Sequence, residues 1–325
     1  MFIKRNFIFS IFITIIFISL CIVYYIKQDK KYNIDGFMHK ASHYFRNGNY
    51  IQAIKYYKKS ILMGKIDEKS YTNIAISLLK LGYYQKAINH LLTIEKEMSP
   101  SSEIYYLLAY SHFLKIKESK NKNDFKIPIL YLEKSIDADS RNKNSYILLG
   151  RIYEDTNIYE NARSCYRKAL FEDMDNSNEF YGLIANTYFK ENKFKEAINY
   201  YNKALEKNKN YISSYYNIAE IYKKLKDFDK SKEYYEKAIE ISRDYIYPYY
   251  QIGNLYFDKK EFDSAIDWYK KALEIEPNEE LVNYYIGISY KEQNNLKLAI
   301  EHLKLAAYCG NDDAVKELRK LLVTF

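Results

Sequence analysis

Cysteine, proline and glycine are all scarce in this chain of 325 residues, and each shortage excludes something. The three cysteines, Cys21, Cys165 and Cys309, stand far apart and are odd in number, which leaves no disulfide framework and no four-thiolate zinc site. Four prolines and nine glycines are too few for a sheet protein with many tight turns. No glycine-rich phosphate loop, H-E-x-x-H helix or G-x-S-x-G elbow occurs in the sequence. His39 and His43 share a helix face at i,i+4, with Asp35 one turn before them. No further Cys or His stands near that pair, so neither a metal site nor a cofactor is expected.

A basic stripe is missing as well. The net charge is +8, but half of that excess lies in residues 1–33, where Lys4, Arg5, Lys27, Lys30 and Lys31 face only Asp29. Beyond that segment acids and bases alternate closely, as in Lys193-Phe194-Lys195-Glu196 and Lys232-Glu233-Tyr234-Tyr235-Glu236-Lys237. Such alternation marks solvated helix faces with i,i+4 pairs, not a surface that tracks phosphates. Nucleic acid is therefore not an expected partner. The hydrophobic share of 48% is ordinary for a folded chain.

One long apolar run is present. From Asn6 to Ile26 there are 21 residues without a charge. At 1.5 Å per residue they span roughly 30 Å, the thickness of a bilayer's hydrocarbon core. Basic residues bracket the run, and Tyr24 and Tyr25 stand where an interfacial aromatic belt would lie. A cleaved signal peptide would have a shorter core and a small-residue exit site, and the residue before Cys21 is Leu20, not the small residue that lipidation favours. The expectation is a single permanent transmembrane helix over about residues 6–26, within a basic tail and anchor at 1–33. The positive-inside rule is nearly balanced; because long following domains translocate largely regardless of charge, the bulk is expected outside the cytoplasm.

The remainder repeats. Ala204, Ala238, Ala272 and Ala306 are each 34 residues apart. Counting Ile246 as place 1, Tyr249, Ile252, Gly253 and Tyr256 fall at places 4, 7, 8 and 11, and Ala265, Tyr269, Ala272 and Pro277 at 20, 24, 27 and 32. The unit recurs eight times over residues 34–309, starting near 34, 68, 102, 143, 178, 212, 246 and 280. Place 8 is small throughout: Ala41, Ala75, Ala109, Gly150, Ala185, Ala219, Gly253 and Gly287. Place 20 departs from Ala at Pro128 and Ser231, and place 27 at Ser60, Ile94 and Ser135. About seven extra residues in a lysine-rich stretch at about 115–127 read as a long interhelix loop.

Apolar residues at three- and four-residue steps imply two helices per unit, and the small places mark where their axes approach. A lone unit cannot bury its apolar stripe, so neighbours must stack. After the last unit, residues 310–325 form one more amphipathic helix, capped by Asn311 or Asp312, whose leucines would cover the array's end.

This pattern of aromatic, apolar, small and Pro positions resembles the tetratricopeptide repeat over about 85% of the chain. The resemblance implies an all-α, right-handed superhelical solenoid of helix pairs, here preceded by one transmembrane helix. It implies a groove lined by places 2, 5, 6, 9 and 12 of each first helix. The candidates for partner binding on those places are Tyr106, Tyr110, Asn186, Tyr216, Asn217, Tyr247, Tyr250 and Asn254. Aromatics of this kind bury large areas with few rotamers, and Asn can pair with an extended peptide backbone, although the same rings can simply pack against the next unit. The family's grip on a C-terminal carboxylate needs three cations, and Gly182, Tyr247 and Gln251 stand in their places, so that grip is not expected.

The expected function is a non-enzymatic, membrane-anchored scaffold that binds a protein or peptide partner. The alternative is a structural or assembly factor that self-associates or bridges subunits of an envelope or secretion complex.

Overall fold

The computed structural model describes residues 33–64, 67–97, 99–119, 124–172 and 177–323, and every regular element in them is an α-helix. The expected membrane span at 6–26 lies outside the described residues. Among the described residues no helix is long and apolar enough to cross a membrane.

The chain divides into two compact units, each described by itself. The first ends at Asn157 and holds α1 (33–46), α2 (Tyr50–Leu62), α3 (Glu68–Lys80), α4 (Tyr84–Glu97), α5 (Ser102–Glu118), α6 (Lys126–Ala138) and α7 (Lys143–Asp155). The second begins at Ile158 with α8 (Tyr159–Phe171), α9 (Ser177–Lys190), α10 (Phe194–Lys207), α11 (Ile212–Lys224) and α12 (Phe228–Ile241). It continues with α13 (Ile246–Asp258), α14 (Phe262–Ile275), α15 (Glu280–Glu292), α16 (Leu296–Tyr308) and α17 (Asp312–Val323).

Helix starts follow from local chemistry. The side chains of Asn49, Asp67, Ser101, Asn142, Asp227, Asn295 and Asn311 each accept a hydrogen bond from a backbone N–H of the first turn. That satisfies donors a helix start otherwise leaves orphaned. The turn joining paired helices uses a left-handed residue at place 15: Gly48, Gly82, Asn157, Asn192, Lys226, Lys260 and Asn294 all have φ between 59° and 75°. Glycine and asparagine suit this conformation, whereas lysine holds it at a cost.

The small places meet inside. Within the first unit Ala41, Ala53, Ala75, Ala87 and Ala109 have no exposed surface; within the second the same holds for Ala185, Ala197, Ala219, Ala238, Ala265 and Ala272. Place 24 supplies the bulk opposite them, and Tyr57, Tyr166, Tyr201, Tyr235 and Tyr269 are among the largest fully buried side chains. The departures from Ala are internally satisfied. Ser60 donates to the Tyr57 carbonyl at 2.8 Å, Ser135 to the Ser102 carbonyl at 2.7 Å, and Ser231 to the Ala219 carbonyl at 2.9 Å. A buried hydroxyl with an acceptor in place costs little.

The lysine-rich insertion is not simply a loop. α5 runs through Glu118, several residues longer than its counterparts, and Phe125 turns inward to meet Phe113 at 6.0 Å before α6 begins at Lys126. Helix-forming residues continue the first helix, and the Phe125 ring anchors the return. At the other end, Asn311 caps α17, and Ala314, Leu318 and Leu321 pack on Leu303 and Ala306 of α16.

Candidate functional site

The residues that sequence placed on the first helices divide between the two units. In the first, Tyr106 and Tyr110 lie on α5 with rings stacked at 6.0 Å and 6°. Both are half-buried, and burial, followed by the neighbouring Tyr110 and Glu103, pushes the Tyr106 hydroxyl up to about 12.

In the second unit, α9, α11 and α13 carry the other six, and hydrogen bonds link most of them. Asn186 of α9 accepts from the Tyr201 hydroxyl at 2.6 Å and from the Asn217 amide at 3.2 Å. Asn254 of α13 accepts from the Tyr269 hydroxyl at 2.7 Å. The equivalent tyrosine of the intervening pair, Tyr235, donates to Glu220. A buried tyrosine at place 24 thus finds its acceptor at place 9 of its own helix pair in three successive pairs. Buried hydroxyls need such partners.

Gln251, one turn along α13, joins the row. Its amide donates to the Tyr216 hydroxyl at 3.3 Å, while its carbonyl accepts from Lys223 at 2.7 Å and from Asn254 at 3.2 Å. The Tyr216 ring lies against Tyr235 and Tyr245 at 5.6 and 5.8 Å, and Tyr250 lies against Tyr269 and Tyr285 at 6.0 and 5.7 Å. Burial and then Glu220 push the Tyr216 hydroxyl up to about 12, and burial likewise raises Tyr250. These rings stay neutral and hold the row in place. Tyr247 differs, with 56% of its surface exposed.

A cavity of about 320 Å³, counting its space open to solvent, lies beside Tyr247. Ile246, Tyr247 and Tyr250 of α13 form one wall, Leu281 and Val282 of α15 another, and Glu276 and Glu279 of the intervening turn the rim. Sequence reasoning named the two tyrosines but missed the rest of the lining. The available signal was the run Glu274-Ile275-Glu276-Pro277-Asn278-Glu279-Glu280, four acids with no base among them.

A second polar cluster reads as structural. Arg163 of α8 has only 4% of its side chain exposed, donates to Glu160 at 3.0 and 2.8 Å, and pairs with Glu191 of α9. Its guanidinium also lies 4.4 Å from the Tyr188 ring centre. Its bonds to Glu160 on its own helix and to Thr187 and Glu191 on the next fasten α8 to α9.

Family models support the repeat assignment. Tetratricopeptide-repeat family models match residues 34–63 and 144–170, 185–226, and 210–278. Among solved structures, one chain of the APC/C hetero-tetramer Cut9-Hcn1 aligns with 88% of this chain and 55% of its own, at 16% identity and a TM-score of 0.52. MamA aligns with 50% of this chain and 94% of its own, at 29% identity and a TM-score of 0.40. YrrB, a TPR protein described as having an unusual peptide-binding site, aligns with 58% of this chain and 97% of its own, at 23% identity and a TM-score of 0.43. The chain is an all-α protein that carries tetratricopeptide repeats. Such repeats are generally non-enzymatic protein-interaction scaffolds.

Proposed function

We propose that this protein is a single-pass membrane scaffold whose tetratricopeptide array, a right-handed superhelix, binds a peptide segment of a partner protein along the first helices of its second unit. The observation that carries the reading is the polar row beside an aromatic cavity. Among the described residues Asn186 keeps its amide N–H pair free and Asn217 keeps its carbonyl oxygen free, since their hydrogen bonds use only the Asn186 oxygen and one Asn217 N–H. A free donor on Asn186 and a free acceptor on Asn217 can pair with the C=O and N–H groups of an extended peptide. Tyr247 and the apolar lining then offer a pocket for a side chain. The uncharged run at 6–26 supplies the anchor, and the repeats lie outside the cytoplasm on this reading.

The test uses the full chain with Asn217→Ala and Tyr247→Ala combined, two sites whose truncation leaves the buried Tyr–Asn bonds intact. Peptides selected from a random library on the wild-type chain should lose roughly tenfold or more in affinity on the variant, while circular dichroism stays unchanged. Equal binding by both proteins would refute the row as the site. Protease protection in intact cells reports the topology: digestion of the repeats from outside is the expected result.

A further inference from the structure

We infer that the cavity between α13 and α15 takes a cationic side chain, a lysine or arginine, of the bound peptide. The inference deepens the peptide-binding reading above and rests on it.

The lining combines the two things a cation prefers. Tyr247 and Tyr250 present aromatic rings, and Glu276 and Glu279 place two carboxylates at the rim, while Ile246, Leu281 and Val282 can receive an aliphatic stem. No base lines the cavity. Burial raises the Glu279 pKa first, followed by the charges of Glu280 and Glu276 and a side-chain hydrogen bond with Glu276. Neither Glu276 nor Glu279 has an ion-pair partner among the described residues, unlike Glu160, Glu191, Glu220 and Glu317 elsewhere in this unit. Carboxylates held close together without a counter-ion repel one another, and a ligand cation would relieve that repulsion. Tyr250 is fixed by contacts with Tyr269 and Tyr285, so the aromatic wall is formed before the ligand arrives.

Random peptides are selected on the full chain, and each selected peptide is measured by fluorescence anisotropy beside an analogue with Lys replaced by norleucine or Arg by citrulline. The expected result is enrichment of Lys or Arg next to an apolar residue. Neutralising that residue should weaken binding roughly tenfold on the wild-type chain and by less than about twofold on Glu276→Gln/Glu279→Gln. Glu274→Gln, an acid outside the cavity, should leave affinity within about twofold, which separates the pocket from general acidity. Selected peptides without basic enrichment, or with equal affinity for wild type and the double Gln variant, overturn the cation pocket while leaving the peptide row standing. Failure to select any peptide, or binding untouched by Asn217→Ala/Tyr247→Ala, removes the row and the pocket together.

Discussion

Gly253 is the sharpest test of how the helix pairs approach. A Cβ added there would lie 2.4 and 2.5 Å from Cε1 and Cδ1 of Tyr269 and 3.0 Å from its Cζ. Carbon atoms rest near 3.5–4.0 Å, so the ring must retreat by about 1 Å. It has little room, because it is fully buried, bonds Asn254 through its hydroxyl at 2.7 Å, and lies about 6.0 Å from both Tyr250 and Tyr285. Overpacking of this kind costs about 1–3 kcal/mol, whereas Gly→Ala in a helix interior returns about 1 kcal/mol. Ala opposite Tyr does occur elsewhere in this unit, in Ala185 with Tyr201 and Ala219 with Tyr235, so a slightly wider spacing is accessible. Gly253→Ala is therefore expected to destabilise by about 1 kcal/mol, read from urea unfolding followed by helical ellipticity. In a Tyr269→Leu background the contact shrinks and the same change should turn neutral or stabilising. If Gly253→Ala stabilised the wild-type chain as much as the Leu background, the close-approach argument would be wrong.

Lys226 and Lys260 hold φ of 61° and 62°, a conformation Asn adopts more readily. Lys226→Asn and Lys260→Asn should each raise stability by about 0.5 kcal/mol in the same urea assay, with no change in ligand binding. His90 of α4 stacks on Tyr71 at 5.2 Å and bonds the Tyr71 carbonyl at 3.2 Å; burial lowers its pKa from 6.5 to about 4. Between those values the unfolded chain binds the extra proton, so stability should rise with pH from about 4 to 6.5, by at most roughly 3 kcal/mol, and His90→Gln should flatten most of that slope.

The parts of the fold legible in the sequence are those where the array leaves one choice. Places 8, 20 and 27 favour small residues because two axes meet there, and the residues found there, Ile94 included, are buried in both units. Place 15 was not legible: a left-handed turn usually advertises itself with glycine, and here only Gly48 and Gly82 do so among seven positions. The long first helix α5 was hidden because a lysine-rich stretch suits an exposed helix as well as a loop. The candidate row was legible as positions, and less so as roles. An aromatic at place 5 sits where a ring reaches either the partner helix or solvent, and Tyr216 and Tyr250 both turn inward onto place 24. The Tyr–acceptor bonds did leave a trace, a spacing of 15 residues between 186 and 201, 220 and 235, and 254 and 269.

Those inward contacts also set the polarity of what remains available. Gln251 stands where a carboxylate-gripping repeat would place a cation, and its side chain is committed to Tyr216, Lys223 and Asn254. Lys223 is itself occupied, at 2.7 Å from Gln251 and 3.8 Å from Glu220. An acidic peptide end approaching this row would therefore find its nearby ammonium neutralised and would then meet the uncompensated charge of Glu276 and Glu279. A basic side chain meets the reverse, two carboxylates and an aromatic wall that is already half-buried on the Tyr250 side. The same substitutions that remove the carboxylate grip thus leave a site whose charge favours the opposite sign of ligand, and the selectivity between a peptide and its charge-reversed copy follows from that arrangement.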